Sequence, residues 1–295
     1  MQIAKVTIIA EVILTESISD YLIGVLNAAV EYSVDDDQSV HVIHAFIIAD
    51  SWLDEERQSL EAAVKRFTDE MADIFQVEKP TIGSEIIADQ DWSKNWKEYF
   101  KPFEILEGLV IAPSWQPYTP GENEKVIVMD PGMAFGTGHH ATTRLCLEMI
   151  RSETASFQGG AVLDVGTGTG ILGMAAALWG AVNVLGIDND DEAVAAAQQN
   201  VCRNKLHEKM SIFNKSLAEL EGKYPLVVAN IIHDVLIALA DDLKKVTGSD
   251  GILILSGLIY GDQTRSITER FQKSGFRLLR EEQHGEWGAV KLKNQ

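Results

Sequence analysis

Three scarcities frame this sequence of 295 residues. It has only two cysteines, Cys146 and Cys202. That is too few for a disulfide scaffold or a cysteine-built zinc site, and it fits a reducing cytosol. Basic residues are outnumbered, with 25 Lys and Arg against 44 Asp and Glu, for a net charge of −19. Such a balance argues against nucleic-acid binding and against docking on an anionic membrane, because both rest on basic patches. Long apolar runs are missing as well, and none approaches the ~18–20 residues that span a bilayer. The apolar stretch near the N-terminus is broken by Lys5 and Glu11 and is followed by no small-residue cleavage site, so no signal peptide is expected. What is present is ordinary globular composition, 46% hydrophobic and 23% charged, which excludes wholesale disorder. No repeat of solenoid or propeller spacing occurs. The expectation is a cytoplasmic monomer with two domains, at roughly 100–200 residues per domain.

The N-terminal part, 1–78, reads as a small α+β domain. Lys5–Ala10 and Val40–Ile48 have strand character, and Ile82–Ala88 is a further strand. Ile18, Leu22, Val25, Leu26 and Ala29 recur at helical spacing over Glu16–Val30, and Leu60, Val64, Phe67, Met71 and Ile74 do so over Asp54–Phe75. The order of strand, helix, strands, helix and strand predicts a ferredoxin-like sandwich. Residues 1–75 hold 15 acidic and 4 basic side chains, a net of −11. That acidity is either a solvated surface or a docking face for a basic partner. The stretch 79–124 carries five of the seven prolines, together with Trp92, Trp96 and Trp115. It is expected to be a connector packed between the domains.

From 125 to 295 short apolar strands alternate with amphipathic helices, which predicts an α/β fold with a doubly wound, mostly parallel sheet. Phe276–Glu282 and Trp287–Leu292 follow each other with no helix between, so they should pair as a terminal antiparallel hairpin.

The strand Ala161–Val165 runs into Asp164-Val165-Gly166-Thr167-Gly168-Thr169-Gly170 and then a helix. Glycines there allow a tight turn and close approach of a ligand to the backbone. Asp188 ends the next strand, where nucleotide-binding sheets place the carboxylate that takes ribose hydroxyls. Together these predict an adenosine-containing ligand at the C-terminal edge of the sheet. The spacing is G-x-G-x-G rather than the G-x-G-x-x-G of dinucleotide binders, and Asp164 precedes the first glycine by two residues. A carboxylate in that place suits a ligand bearing an ammonium group and would oppose a pyrophosphate. It also reads as a cap for the turn itself.

Asn230 closes the strand Leu226–Ala229 at the same edge. Its amide oxygen can accept a hydrogen bond from an amine and so direct the amine lone pair at a methyl donor. Equally, asparagine is a favoured cap for the helix that follows. Between Asp130 and Arg144 lies a glycine-rich loop with Phe135, His139, His140, Thr142 and Thr143. The threonines stand where hydroxyls cap a helix or meet a carboxylate, and Phe135 can cover a ligand. The two histidines have no cysteine nearby and no His at i+4, so no metal site is expected.

The Asp-x-Gly-x-Gly-x-Gly turn and the closing hairpin resemble class I S-adenosylmethionine-dependent methyltransferases. With Gly186-Ile187-Asp188, the loop Asp130–Arg144, Asp91–Pro102 and His284–Leu292, the chain is similar to the PrmA family of ribosomal protein methyltransferases over nearly its whole length. The resemblance implies S-adenosyl-L-methionine as cofactor. It also implies trimethylation of lysine side chains and the N-terminal amine of a basic protein of the large ribosomal subunit, protein L-eleven. On this reading 1–78 recognises the substrate, and 125–295 holds the methyl donor. The cofactor would lie against Thr142, Thr143, Asp164, Gly166, Gly168, Asp188 and Asn230, with Phe135 at its methionine end, and Asn230 would be the catalytic residue. Ile232-His233-Asp234 departs from the family's usual Asn-Ile-Leu-Ala pattern. The alternatives are a methyltransferase for another protein or a small amine, a cofactor-binding module without activity, and a nicotinamide-dependent oxidoreductase. The glycine spacing and the hairpin weigh against the last.

Overall fold

A computed structural model describes residues 2–26, 28–34, 40–49, 52–88, 101–130, 140–157 and 159–295. The chain divides into two compact units, Met1–Lys101 and Pro102–Gln295.

In the first unit β1 (Gln2–Glu11), β2 (Ala29–Val34), β3 (Val40–Ala49) and β4 (Thr81–Ala88) form an antiparallel sheet in the order β2-β3-β1-β4. Helices Thr15–Gly24 and Asp54–Phe75 complete the ferredoxin-like arrangement. Val6, Ile8 and Ala10 alternate along β1 and pack with Ile43 and Ala45 of β3 against Ile18, Leu22, Val64 and Ala72 of the helices. Tyr21 stacks on Phe67 with ring centroids 4.1 Å apart. The helical spacing read over Glu16–Val30 stops at Gly24, because Ala29–Val34 is drawn into the sheet as the partner of His41–Phe46. Val25 lies beyond the helix and is exposed, and Ile74 of the second helix is exposed as well.

The stretch 79–124 is shared between the units. Thr81–Ala88 is an edge strand of the first sheet, whereas β5 (Phe103–Leu106) and β6 (Leu109–Ala112) join β7 (Lys125–Val128) in a small sheet of the second unit. Gly108, at φ +77°, turns β5 into β6, a left-handed conformation that glycine adopts without a Cβ penalty. Leu109, Ile111, Ile127 and Met129 then enter the core of the second unit. Residues 89–100, with Trp92 and Trp96, lie outside the described residues.

The main sheet has seven strands in the order β10-β9-β8-β11-β12-β14-β13. They are β8 (Ala161–Val165), β9 (Asn183–Asp188), β10 (Met210–Asn214), β11 (Tyr224–Asn230), β12 (Thr247–Ile259), β13 (Phe276–His284) and β14 (Trp287–Asn294). The first five are parallel, and the terminal hairpin inserts β14 antiparallel to β12. Central strands carry apolar side chains on both faces. Val162, Val228 and Ile254 pack under helices Ala141–Ser152, Ile171–Leu178 and Asp191–Arg203. Their neighbours Leu163, Val227 and Leu253 pack under Ala240–Val246 and Asp262–Lys273. This double coverage explains the continuous apolar runs. After β11 come two short helices, His233–Ala238 and Ala240–Val246, which meet at Leu239.

Candidate active site

Of the residues singled out in the sequence, Asp164, Gly166, Gly168, Asp188 and Asn230 lie where β8, β9 and β11 end. Gly166, Gly168 and Gly170 all have positive φ, +67°, +53° and +84°. The turn folds back so closely that a Cβ on Gly166 would stand 3.3 Å from Ile231 Cγ2, the residue after Asn230. The glycine turn and the end of β11 are therefore neighbours.

Asp164 is fully buried beneath the turn. Its Oδ2 accepts hydrogen bonds from Thr167 Oγ1 at 2.7 Å and from the Gly173 N–H at 3.0 Å. So the carboxylate does cap the turn, with one of its oxygens. The other, Oδ1, is buried and has no hydrogen-bond partner. Burial pushes the Asp164 carboxyl up to about 6, against the lowering effect of its two donors and with a smaller raising effect from Asp188. Beside it lies Cys146, buried one turn along the helix Ala141–Ser152. Burial, and then the nearby Asp164 charge, hold that thiol protonated, while its hydrogen bond with Ser256 works the other way.

Asp188 is half-buried at the tip of β9. Its Oδ2 accepts from the Gly168 N–H at 2.9 Å and its Oδ1 from the Asp190 N–H at 3.2 Å. It ties the glycine turn to the next strand and keeps further lone pairs on both oxygens for a ligand hydroxyl.

The helix Ala141–Ser152 opens with His140 as its cap: Nδ1 accepts from the Thr142 N–H at 3.2 Å and lies 2.6 Å from Thr142 Oγ1. Thr142 and Thr143 are buried, and Thr143 Oγ1 has no hydrogen-bond partner. Nothing in the sequence marks His140 as this cap. Nor does it single out Trp287, whose ring packs 4.8 Å from the His140 ring and whose buried Nε1–H is unpartnered. The signal was a tryptophan at the turn of the terminal hairpin, which β14 carries to this edge. Phe135 and His139, with the rest of 131–139, lie outside the described residues.

Asn230 settles one ambiguity. The helix after it begins at His233 with Ile232 as cap and no side-chain cap hydrogen bond, so Asn230 does not cap it. The Asn230 Oδ1 is buried without a partner. Behind it, the Ile231 N–H donates to Ser256 O at 3.1 Å. Gly257, at φ +84°, comes so close that a Cβ there would stand 2.5 Å from Ile231 O. A register shift in the β12–β14 pairing at this point accommodates the approach.

A buried polar atom without a partner costs roughly 1–3 kcal/mol. Four such atoms, on Thr143, Asp164, Asn230 and Trp287, are borne by elements that end at this edge. The family model for ribosomal protein L11 methyltransferase (PrmA) matches residues 5–295. The chain belongs to the PrmA family. A "Ribosomal protein L11 methyltransferase" of Desulfotalea psychrophila is 46% identical over 292 residues, 99% of this chain and 97% of that protein. One from Clostridium perfringens is 37% identical over 237 residues, 79% of this chain and 74% of that protein. The crystal structure of a ribosomal protein L11 methylase from Lactobacillus delbrueckii subsp. bulgaricus superposes with a TM-score of 0.60 at 33% identity, covering 66% of this chain and all of that one. PrmA membership makes the chain an S-adenosylmethionine-dependent protein methyltransferase.

The site fits that cofactor. The free oxygen of Asp164 suits a cationic amino-acid end, Thr143 offers a buried hydroxyl, and Asp188 suits ribose hydroxyls. The three positive-φ glycines hold a turn that a side chain would strain. Among the described residues no cluster of three or more His, Cys, Asp or Glu could hold a metal ion, and no helix is long and apolar enough to cross a membrane.

Proposed function

We propose that this PrmA-family enzyme methylates lysine side chains and the N-terminal amine of ribosomal protein L11 in the cytoplasm, with Asn230 as its catalytic residue. The observation that carries this reading is the buried, unpartnered Asn230 amide oxygen at the end of β11, beside the glycine turn. S-adenosylmethionine supplies an electrophilic methyl group on a sulfonium. Asp164, Thr143, the glycine turn and Asp188 would hold it, and Asn230 accepts a hydrogen bond from the acceptor amine. That bond fixes the direction of the amine lone pair, a contribution of orientation rather than of acid–base chemistry. A lysine amine has a reference pKa near ~10.4 and must lose a proton first. Loss of water around the amine on binding would favour its neutral form, and water carries the proton away. The acidity of residues 1–75 suits the capture of a basic ribosomal protein by the first unit.

The test is mass spectrometry of unmodified recombinant L11 after incubation with enzyme and cofactor. Methyl groups on lysine and N-terminal peptides are expected from the parent enzyme, with almost none from Asn230→Ala at equal cofactor occupancy. Parent-like turnover by Asn230→Ala overturns the role given to Asn230.

A further inference from the structure

The acceptor side of the site has a surface that the residues discussed so far do not account for. Seven large apolar side chains are exposed among the described residues of the second unit, and four of them sit in two short segments at this edge. Ile232 (66% exposed) and Val235 (38%) follow Asn230, while Ile259 (39%) and Tyr260 (41%) end β12. Scattered exposed apolar residues need no explanation, but a concentration beside a site does.

The two segments are held together. Ile231 is bonded to Ser256 and wedged against Gly257. His233 Nδ1 lies 2.8 Å from Asp234 Oδ1, and its Nε2 lies 3.1 Å from Ser266 Oγ in the helix Asp262–Lys273. The Ile259 N–H donates to Gln263 Oε1 at 2.8 Å, and the Tyr260 N–H donates to Glu286 O at 2.8 Å. The Tyr260 ring lies across Gly288, where a Cβ would stand 3.3 Å from Tyr260 Cδ2. His233 therefore pins the helix after Asn230 to the helix after β12. Asp234 and Asp262 border the surface with side chains 94% and 96% exposed, and the cation the structure sets near Asp262 is Arg265, at 3.3 Å.

We propose that Ile232, Val235, Ile259 and Tyr260 form a shelf for the stretch of the protein substrate on either side of the acceptor amine, and that this stretch is an extended, lysine-bearing segment. The inference rests on the methyltransferase reading above and extends it to how the acceptor is seated. A lysine stem buries its methylenes along apolar surface while its charged end reaches water or an acid. Here the shelf supplies the apolar surface, and Asp234 and Asp262 supply the acids. A free small amine would leave the shelf uncovered, so the surface favours a polypeptide acceptor. The bracing by His233, Ser266 and Gln263 sets the shelf before the substrate arrives, which lowers the ordering cost of binding.

The test uses the full-length enzyme and purified L11 in steady-state methylation. The double variant Ile232→Ser/Tyr260→Ser is expected to raise the KM for L11 about tenfold, the loss typical of truncated interface anchors, with kcat and the KM for cofactor held within about twofold. Asp234→Lys/Asp262→Lys is expected to do the same and to flatten the salt dependence of kcat/KM. Leu279→Ser, an exposed apolar residue elsewhere on the unit, is the control and changes neither constant. Unchanged KM in both double variants overturns the shelf. If the parent enzyme leaves L11 unmethylated, the function proposal fails separately. The shelf is then decided by photo-cross-linking from position 260 to a lysine-rich synthetic peptide. A cross-link lost in Asp234→Lys/Asp262→Lys supports it, and no cross-link from the parent overturns it.

Discussion

Replacing Asp164 by asparagine tests how the cofactor's charge is met. Burial pushes the Asp164 carboxyl from its ordinary value of 3.8 up to about 6. At neutral pH it is ionised, and keeping it so costs the native state about 3 kcal/mol. The unfolded chain binds fewer protons than the native one between those two values, so this contribution to stability declines as pH rises from about 4 to 6. A cationic ligand beside Oδ1 reverses the balance: it favours the carboxylate and releases a proton on binding. If binding returns the carboxyl to about 4, affinity at pH 5.5 should be about fourfold weaker than at pH 7.5, with most of the change below 6.5. Asp164→Asn keeps the shape and an acceptor for Thr167 and Gly173, yet cannot ionise. Its ligand-free form should be more stable at pH 7.5 by up to about 3 kcal/mol. Its cofactor affinity should be lower and independent of pH. The assay is calorimetry with S-adenosylmethionine at pH 6 in buffers of different ionisation enthalpy, which counts the protons released. Zero proton release by the parent enzyme, or the same pH slope in Asp164→Asn, refutes the reasoning.

Three further outcomes follow from the same geometry. Asn230→Ala should lower kcat by about a hundredfold, the scale of lost orientation, and change cofactor affinity little, as single-turnover methylation and calorimetry will show. Asp188→Ala removes both the proposed ribose acceptor and the bond to the Gly168 N–H. It should weaken cofactor binding by about 2 kcal/mol or more, and unaltered calorimetric affinity counts against that assignment. Gly257→Ala would place a Cβ 2.5 Å from Ile231 O, whereas Gly261→Ala, also at positive φ, meets nothing within 4 Å. Gly257→Ala should therefore lower both thermal stability and kcat beyond Gly261→Ala, and equal effects would mean that only backbone strain is at work.

The glycine turn, Asp188 and the terminal hairpin were legible because each is a local pattern with one structural solution. Positive φ favours glycine, and two strands joined by a short turn pair as an antiparallel hairpin. The strand Ala29–Val34 was not legible, since its apolar residues continue the helical spacing of Ile18 and Leu22 and only pairing with β3 decides otherwise. The hairpin at Gly108 was hidden among prolines, although Glu107-Gly108 between two apolar runs is a turn signal. For Asn230 the sequence left two roles open, and the cap geometry at Ile232 removed one of them. The contribution of Trp287 depends on β14 lying beside β12 in place of β13, a long-range fact that no local pattern contains.

Methyl transfer to L11 by this PrmA-family enzyme is tested by incubating the full-length chain with radiolabelled S-adenosylmethionine and total ribosomal proteins from cells lacking this activity, then resolving the proteins on a gel. One labelled band is expected at the position of L11, lost with Asn230→Ala. Label on another protein, or on none while the cofactor is bound, would rule out L11 as the substrate.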